Sequence, residues 1–195
     1  LGRDRSEVAE DDEVKSVSNE VTYAHDLETR EDIEAALSTI SAKVGRRLRR
    51  KGLKGRTVAV KMRYDNRTTR SAQCALAVPT DDDIAFAPVV HRLAEELWAP
   101  GMKVRLLGVA VTHFEEDGAP VQETLFDTAA LGDDNRASAA QSEALIRDEE
   151  KRRSLLAATD ALQERFGDGT VRFGFELRQS GNTTGSSSKN VEDYK

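Results

Sequence analysis

LRRKGLKGRTVAVKMRYDNRTTR, residues 48–70, carries the end of one element, the whole of a second and the turn into a third. From Thr57 to Tyr64 the residues alternate. Val58, Val60, Met62 and Tyr64 fall on one face, and Thr57, Ala59, Lys61 and Arg63 on the other, which is the period of a half-buried strand. Gly52 stops whatever precedes it, and Asp65-Asn66 supplies turn chemistry. The stretch is also the positive pole of an acidic chain. The formal net charge is -6, yet between Lys43 and Arg70 a run of arginines and lysines is opposed by Asp65 alone. A helix C-terminus favours cations, but its dipole needs only one or two. The excess, continued onto the outward positions of a strand, predicts a surface for a polyanion.

Upstream, KSVSNEVTY at 15–23 alternates with Val17, Val21 and Tyr23 on one face and Ser16, Ser18, Glu20 and Thr22 on the other. Thr29 and Asp32 form a capping box. Ile33, Ala36, Leu37, Ile40, Val44 and Leu48 then recur at helical spacing up to Gly52. Downstream, SAQCALAV is a third strand with Cys74, Leu76 and Val78 inward and Ser71, Gln73 and Ala75 outward. A second amphipathic helix carries Ile84, Phe86, Val89, Val90, Leu93, Leu97 and Trp98 and closes at Pro100-Gly101. The strand VRLLGVAVTHF begins at Val104. The order β-α-β-β-α-β predicts an α+β fold of the ferredoxin-like, split βαβ kind: a four-stranded antiparallel sheet with two helices on one face, the other face open, plus a partly helical C-terminal tail.

With 195 residues, 38% hydrophobic and 33% charged, the chain has material for one modest core. No apolar run reaches the length of a membrane span, so a soluble, cytoplasmic protein is expected. The single cysteine, Cys74, excludes an internal disulfide and a multi-cysteine zinc site and reads as a small buried hydrophobe. Asp81, Asp82 and Asp83 precede a helix and read as its cap rather than as metal ligands. His25, His91 and His113 lie on separate elements without a metal-ligand spacing or a partnered nucleophile. No catalytic residue and no metal site is expected.

The expected organisation is a leading segment at 1–14, the sheet domain at 15–116, a tether at 117–140, a helical tail with a possible short strand (VRFGFEL) at 141–178, and disorder at 179–195. Within the tether, Gln122-Glu123-Thr124-Leu125-Phe126 exposes an apolar pair that builds no local core. Its burial is expected on a partner, with the glutamine amide fixing register.

Taken together, KSVSNEVTY, LRRKGLKGRTVAVKMRYDN, VRLLGVAVTHF and QETLF resemble the C-terminal part of a Y-family translesion DNA polymerase of the DNA polymerase IV type: its little finger domain followed by a sliding-clamp-binding peptide. LGRDRSEVAEDDEV is similar to the linker leaving the thumb, and the opening Leu1 fits a C-terminal piece of a longer chain. The resemblance implies phosphate contacts on primer-template DNA from Lys15, Ser16, Ser18, Lys61, Arg63, Arg70 and Arg105. It implies clamp contacts from Gln122, Leu125 and Phe126. It further implies a monomeric, inactive fragment without a cofactor, a parent polymerase that uses magnesium in a palm outside this sequence, and a bacterial, cytoplasmic, nucleoid-associated setting. LQERFGDGTVRFG is similar to tails of some polymerase IV and polymerase V subunits but lacks their closing Trp and Arg residues. The rival readings are a stand-alone DNA- or clamp-binding adaptor without polymerase activity, and a ferredoxin-like RNA-binding module. Against the latter, Ser71, Gln73 and Ala75 stand where such modules place stacking aromatics.

Overall fold

The computed structural model describes residues 14–115, a helix backbone from Asn135 with its side chains from Arg147, residues 167, 170 and 171, and the backbone of a strand at Thr183–Ser186. Strand β1 (Ser16–Leu27), helix α1 (Arg30–Lys51), strands β2 (Gly55–Tyr64) and β3 (Thr69–Thr80), helix α2 (Asp83–Leu97) and strand β4 (Val104–Phe114) follow in the expected order. Helix α3 (Asn135–Phe166) and strand β5 (Thr183–Ser186) come after them. The sheet runs β3-β2-β4-β1-β5 with every pairing antiparallel. Both βαβ units are split: β4 lies between β1 and β2, and β2 lies between β3 and β4.

Local signals and packing agree along α1. The Thr29 hydroxyl accepts from the Asp32 amide at 3.2 Å and donates to the Asp32 carboxylate at 2.7 Å. Gly52 ends the helix at φ 65°, its amide and that of Leu53 closing on the Arg49 and Leu48 carbonyls. Ile33, Ala36, Leu37, Ile40, Val44 and Leu48 are all buried. They pack on the inner sheet face with Val17, Val21 and Tyr23 of β1, Val58, Val60, Met62 and Tyr64 of β2, and Leu107, Val109 and Val111 of β4. Phe86, Val90, Leu93 and Leu97 of α2 complete the core, and the buried Tyr64 hydroxyl donates to the Leu97 carbonyl at 2.5 Å. Gly45 lets the two helices approach: a Cβ there would lie 2.5 Å from Asp83 Oδ1.

Four expectations are corrected. Val78 is not inward but 72% exposed. Between the pairs Thr57–Ala75 and Gly55–Thr80 the register shifts, and the bulge in β3 breaks the alternation that placed Val78 with Cys74 and Leu76. Cys74 is half-buried, because its strand is a sheet edge, and its sulfur accepts from Arg92 at 3.1 Å. The tether expected to reach residue 140 ends earlier, since α3 begins at Asn135. Residues 137–140 are Ala-Ser-Ala-Ala, poor in large apolar side chains but rich in the strongest helix former. Finally, the stretch expected to be disordered contributes β5, which pairs with Val21–Tyr23 on the outer edge of β1. Edge pairing needs backbone groups and not an apolar signature, so TTGS carries no hydrophobic trace of it. The short strand expected at VRFGFEL lies beyond Val171, outside the described residues.

Helix α3 rests on the helical side of the domain. Leu156 and Thr159 are buried, Asp160 pairs with Arg49 of α1, and Arg152 lies 3.5 Å from Asp82 at the start of α2. The opposite sheet face carries none of these α3 contacts.

Candidate nucleic-acid interface

Register alone defines the open face. Reading β1, β4, β2 and β3 across, the outward rows are Ser16-Thr112-Thr57-Ala75, Ser18-Ala110-Ala59-Gln73, Glu20-Gly108-Lys61-Ser71 and Thr22-Leu106-Arg63-Thr69. These are mostly small or hydroxylated side chains, with no aromatic ring among them. The face is a shallow polar plane with its cations gathered at the end nearest the β2–β3 turn. Such a plane offers hydroxyls and charge to a phosphate backbone and nothing for a base to stack on.

Lys61 and Arg63 project from β2, an interior strand between β3 and β4. Lys61 is not idle: its Nζ lies 2.9 Å from Glu20 Oε1, with side-chain exposures of 39% and 29% for the two partners. The pair spans β4 because the residue between them is Gly108, where a Cβ would come 2.8 Å from the Glu20 Cγ. Arg63 is exposed and its Nε donates to the Thr69 hydroxyl at 3.3 Å. Ser16 and Ser18 share the face, and Lys15, also exposed, stands just before Ser16 at the start of β1.

The structure does not bring the other expected site residues together with Lys61 and Arg63. Arg70 pairs in register with Met62, whose side chain points to the core side, and its guanidinium lies 6.0 Å from the Tyr64 ring centroid. It therefore leans toward the helical face and is not brought together with Lys61 and Arg63. Arg105 sits in a break of the ladder, where β1 takes five steps from Thr22 to Leu27 while β4 takes two. It fills that break, its Nε 2.6 Å from Asp26 and its Nη1 donating to the Ala24 carbonyl at 3.2 Å. Gln122, Leu125 and Phe126 lie outside the described residues.

The basic end of α1 divides in the same way. Arg47 donates to the Ser18 carbonyl at 2.9 Å and so covers part of the β1 edge. Arg49 turns inward: its Nη1 meets Asp83 at 2.6 Å and the Asp81 carbonyl at 3.0 Å, while its Nε meets Asp160 at 2.6 Å. Burial works against the Arg49 charge, but the bonds from Asp160 and Asp83 outweigh it and hold the guanidinium firmly protonated. On the other side of the pair, burial pushes the Asp83 carboxyl above its usual range, against the pull of Arg49. This arginine belongs to the architecture. Sequence reasoning counted it with the polyanion surface because charge number does not reveal direction.

Of the three aspartates expected to cap α2, the side chain of Asp82 does so, while that of Asp83 pairs with Arg49. Asp82 caps α2, its carboxylate accepting from the Ile84 and Ala85 amides at 2.8 and 3.1 Å. Among the described residues no three His, Cys, Asp or Glu side chains come together as a metal site. His91 Nε2 lies 3.2 Å from the Ser38 hydroxyl between the two helices, and His113 contacts Thr112 on its own strand. Among the described residues, these two histidine contacts do not join a nucleophile to a base and a third, orienting group. No helix among the described residues is long and apolar enough to cross a membrane.

The described residues thus form a split βαββαβ sheet with a polar outer plane and cations near one end. Residues 14–125 match the impB/mucB/samB family C-terminal domain, and the chain belongs to that family. Its curated relatives bear the name DNA polymerase IV: one from Acetivibrio thermocellus is 32% identical over 183 residues, covering 92% of this chain and 42% of the relative. A second, from Lactococcus lactis, is 42% identical over 103 residues, or 52% of this chain and 28% of the relative. The chain thus spans less than half the length of these proteins. Among solved structures, a complex of the beta-clamp processivity factor and the little finger domain of PolIV aligns with 22% identity and a TM-score of 0.44, over 57% of this chain and 98% of that one.

Proposed function

We propose that this chain grips primer-template DNA by its phosphate backbone as the little finger of a translesion DNA polymerase, and that Gln122, Leu125 and Phe126 tether it to a sliding clamp. The observation that carries the reading is the register of the open face: Lys61 and Arg63 stand on one polar, aromatic-free plane, and α3 packs on the opposite side of the sheet. Each cation placed against a phosphate releases a condensed counterion, which gives salt-dependent affinity indifferent to sequence. The hydroxyls of Ser16, Ser18, Thr57 and Thr112 add neutral donors that fix the backbone without reading bases. A grip of this kind tolerates a distorted template. The absence of ring side chains from the outward rows favours duplex DNA over single-stranded RNA, whose recognition relies on stacking.

In this reading the nucleotidyl transfer, with its magnesium, belongs to the larger part of such a polymerase that this chain does not span, and the described residues supply binding only. The clamp peptide would raise the local concentration of DNA around a domain of modest intrinsic hold. The working form is a cytoplasmic monomer recruited to DNA. The test is a titration of the 195-residue chain with labelled primer-template DNA at several salt concentrations. The expected result is log-linear weakening with salt, with Arg63→Ala reducing the slope by about one unit and Lys61→Ala, whose ammonium is paired with Glu20, reducing it by less. Equal affinity for a single-stranded RNA of the same length would refute the reading, as would binding indifferent to salt.

A further inference from the structure

Glu20 is the one carboxylate in the outward rows of β1, β4, β2 and β3, and it stands on β1, at one side of a plane otherwise suited to phosphate. Its position is built. A β-strand presents side chains of next-nearest strands roughly 10 Å apart, too far for most pairs to meet over an intervening side chain. Here the intervening residue is Gly108, and the Glu20 stem lies in the space where a Cβ would be, 2.8 Å from its Cγ. From there Oε1 reaches Lys61 Nζ at 2.9 Å.

We infer that Glu20 is an internal competitor for phosphate: it holds Lys61 in the free protein and must be displaced, or share the ammonium, when a DNA phosphate arrives. The inference rests on the DNA-gripping reading above and deepens it by naming the residue that sets how weak the grip is. A carboxylate and a backbone phosphodiester each carry one negative charge and accept hydrogen bonds from an ammonium, so the exchange conserves the contact and changes only the partner. Lys61 contributes less net affinity than an unpaired lysine, and less salt dependence, because its charge is already matched. The consequence is a domain that holds DNA loosely at this point and slides or releases with little rearrangement, the β2 and β4 backbones staying in place.

The experiment is a double-mutant cycle in the full chain, with primer-template DNA binding followed by fluorescence anisotropy from low to moderate salt. Glu20→Gln is expected to tighten binding about three- to tenfold and to steepen the salt slope by up to about one unit. In the Lys61→Ala background the same substitution is expected to do much less. Gly108→Ala offers a second route: it crowds the Glu20 stem at unchanged net charge and is expected to shift affinity in the same direction as Glu20→Gln. If Lys61→Ala weakens binding while Glu20→Gln leaves it unchanged, the inference fails and the grip itself stands. A gain from Glu20→Gln that persists undiminished without Lys61 also overturns it, since the effect is then net charge alone. If the unmodified chain shows no salt-dependent DNA binding, the underlying reading fails instead.

Discussion

Replacing Arg49 by Ala separates architecture from grip within the basic stretch. Arg49 is only 17% exposed and joins three elements: Asp83 at the start of α2, 9% exposed, the Asp81 carbonyl before it, and Asp160 on α3, 23% exposed. Its removal leaves two carboxylates without their cation. Asp160 can turn toward water, but Asp83 cannot move far, since Gly45 packs against it. Breaking a buried pair from one side costs about 3–5 kcal/mol, and the partial exposure of Asp160 puts this case near the lower limit, about 3 kcal/mol. For a domain of this size, with an entropy of unfolding near 2 cal/mol/K per residue, that corresponds to a melting temperature lowered by roughly 15 °C. Thermal and urea denaturation would measure the loss. Hydrogen exchange along α3 should rise at the same time, because Asp160 loses its anchor. Arg49→Met combined with Asp83→Asn and Asp160→Asn, which removes charge from both sides, should recover most of the stability. DNA affinity per folded molecule should be nearly unchanged. A stable Arg49→Ala variant with DNA binding weakened as much as by Lys61→Ala would refute this placement of the side chain.

Three further outcomes are expected. Gly45→Ala should destabilise the domain by about 1–2 kcal/mol in a urea titration: the gain of about 1 kcal/mol in helix propensity is outweighed by overpacking against Asp83, and a net stabilisation would show that the helices can part. Truncation before Thr183 should leave the melting temperature within a few degrees but raise amide exchange at Val21–Tyr23, where β5 covers the edge of β1; unchanged protection there would count against the pairing. Leu125→Ala with Phe126→Ala should abolish binding to a sliding clamp in surface plasmon resonance and leave affinity for naked DNA as it was; retained clamp binding would eliminate the peptide as the tether.

How much of this was legible beforehand depends on the range of the interaction. The capped helix from Thr29 to Gly52, its buried stripe from Ile33 to Leu48, and the alternation of β1 and β2 follow from periodicity and capping over a few residues, and the structure repeats them. Alternation failed where a register shift intervened, at Val78, because a bulge is set by the partner strand. It left β5 unseen, because an edge pairing is written in backbone groups.

The candidate site divides along the same line. Composition and spacing sufficed to find the cations and to set Lys61 and Arg63 on the outward side of a strand, since a period of two admits only two faces. Direction beyond that face was settled by the assembled fold. Arg49 turned to Asp83 and Asp160, Arg105 filled a gap in β1, and Glu20 met Lys61 across Gly108. Each of these pairs joins residues far apart in the chain. A charge finds its partner through space, and the distance between two side chains is fixed only once strand order and register have been chosen.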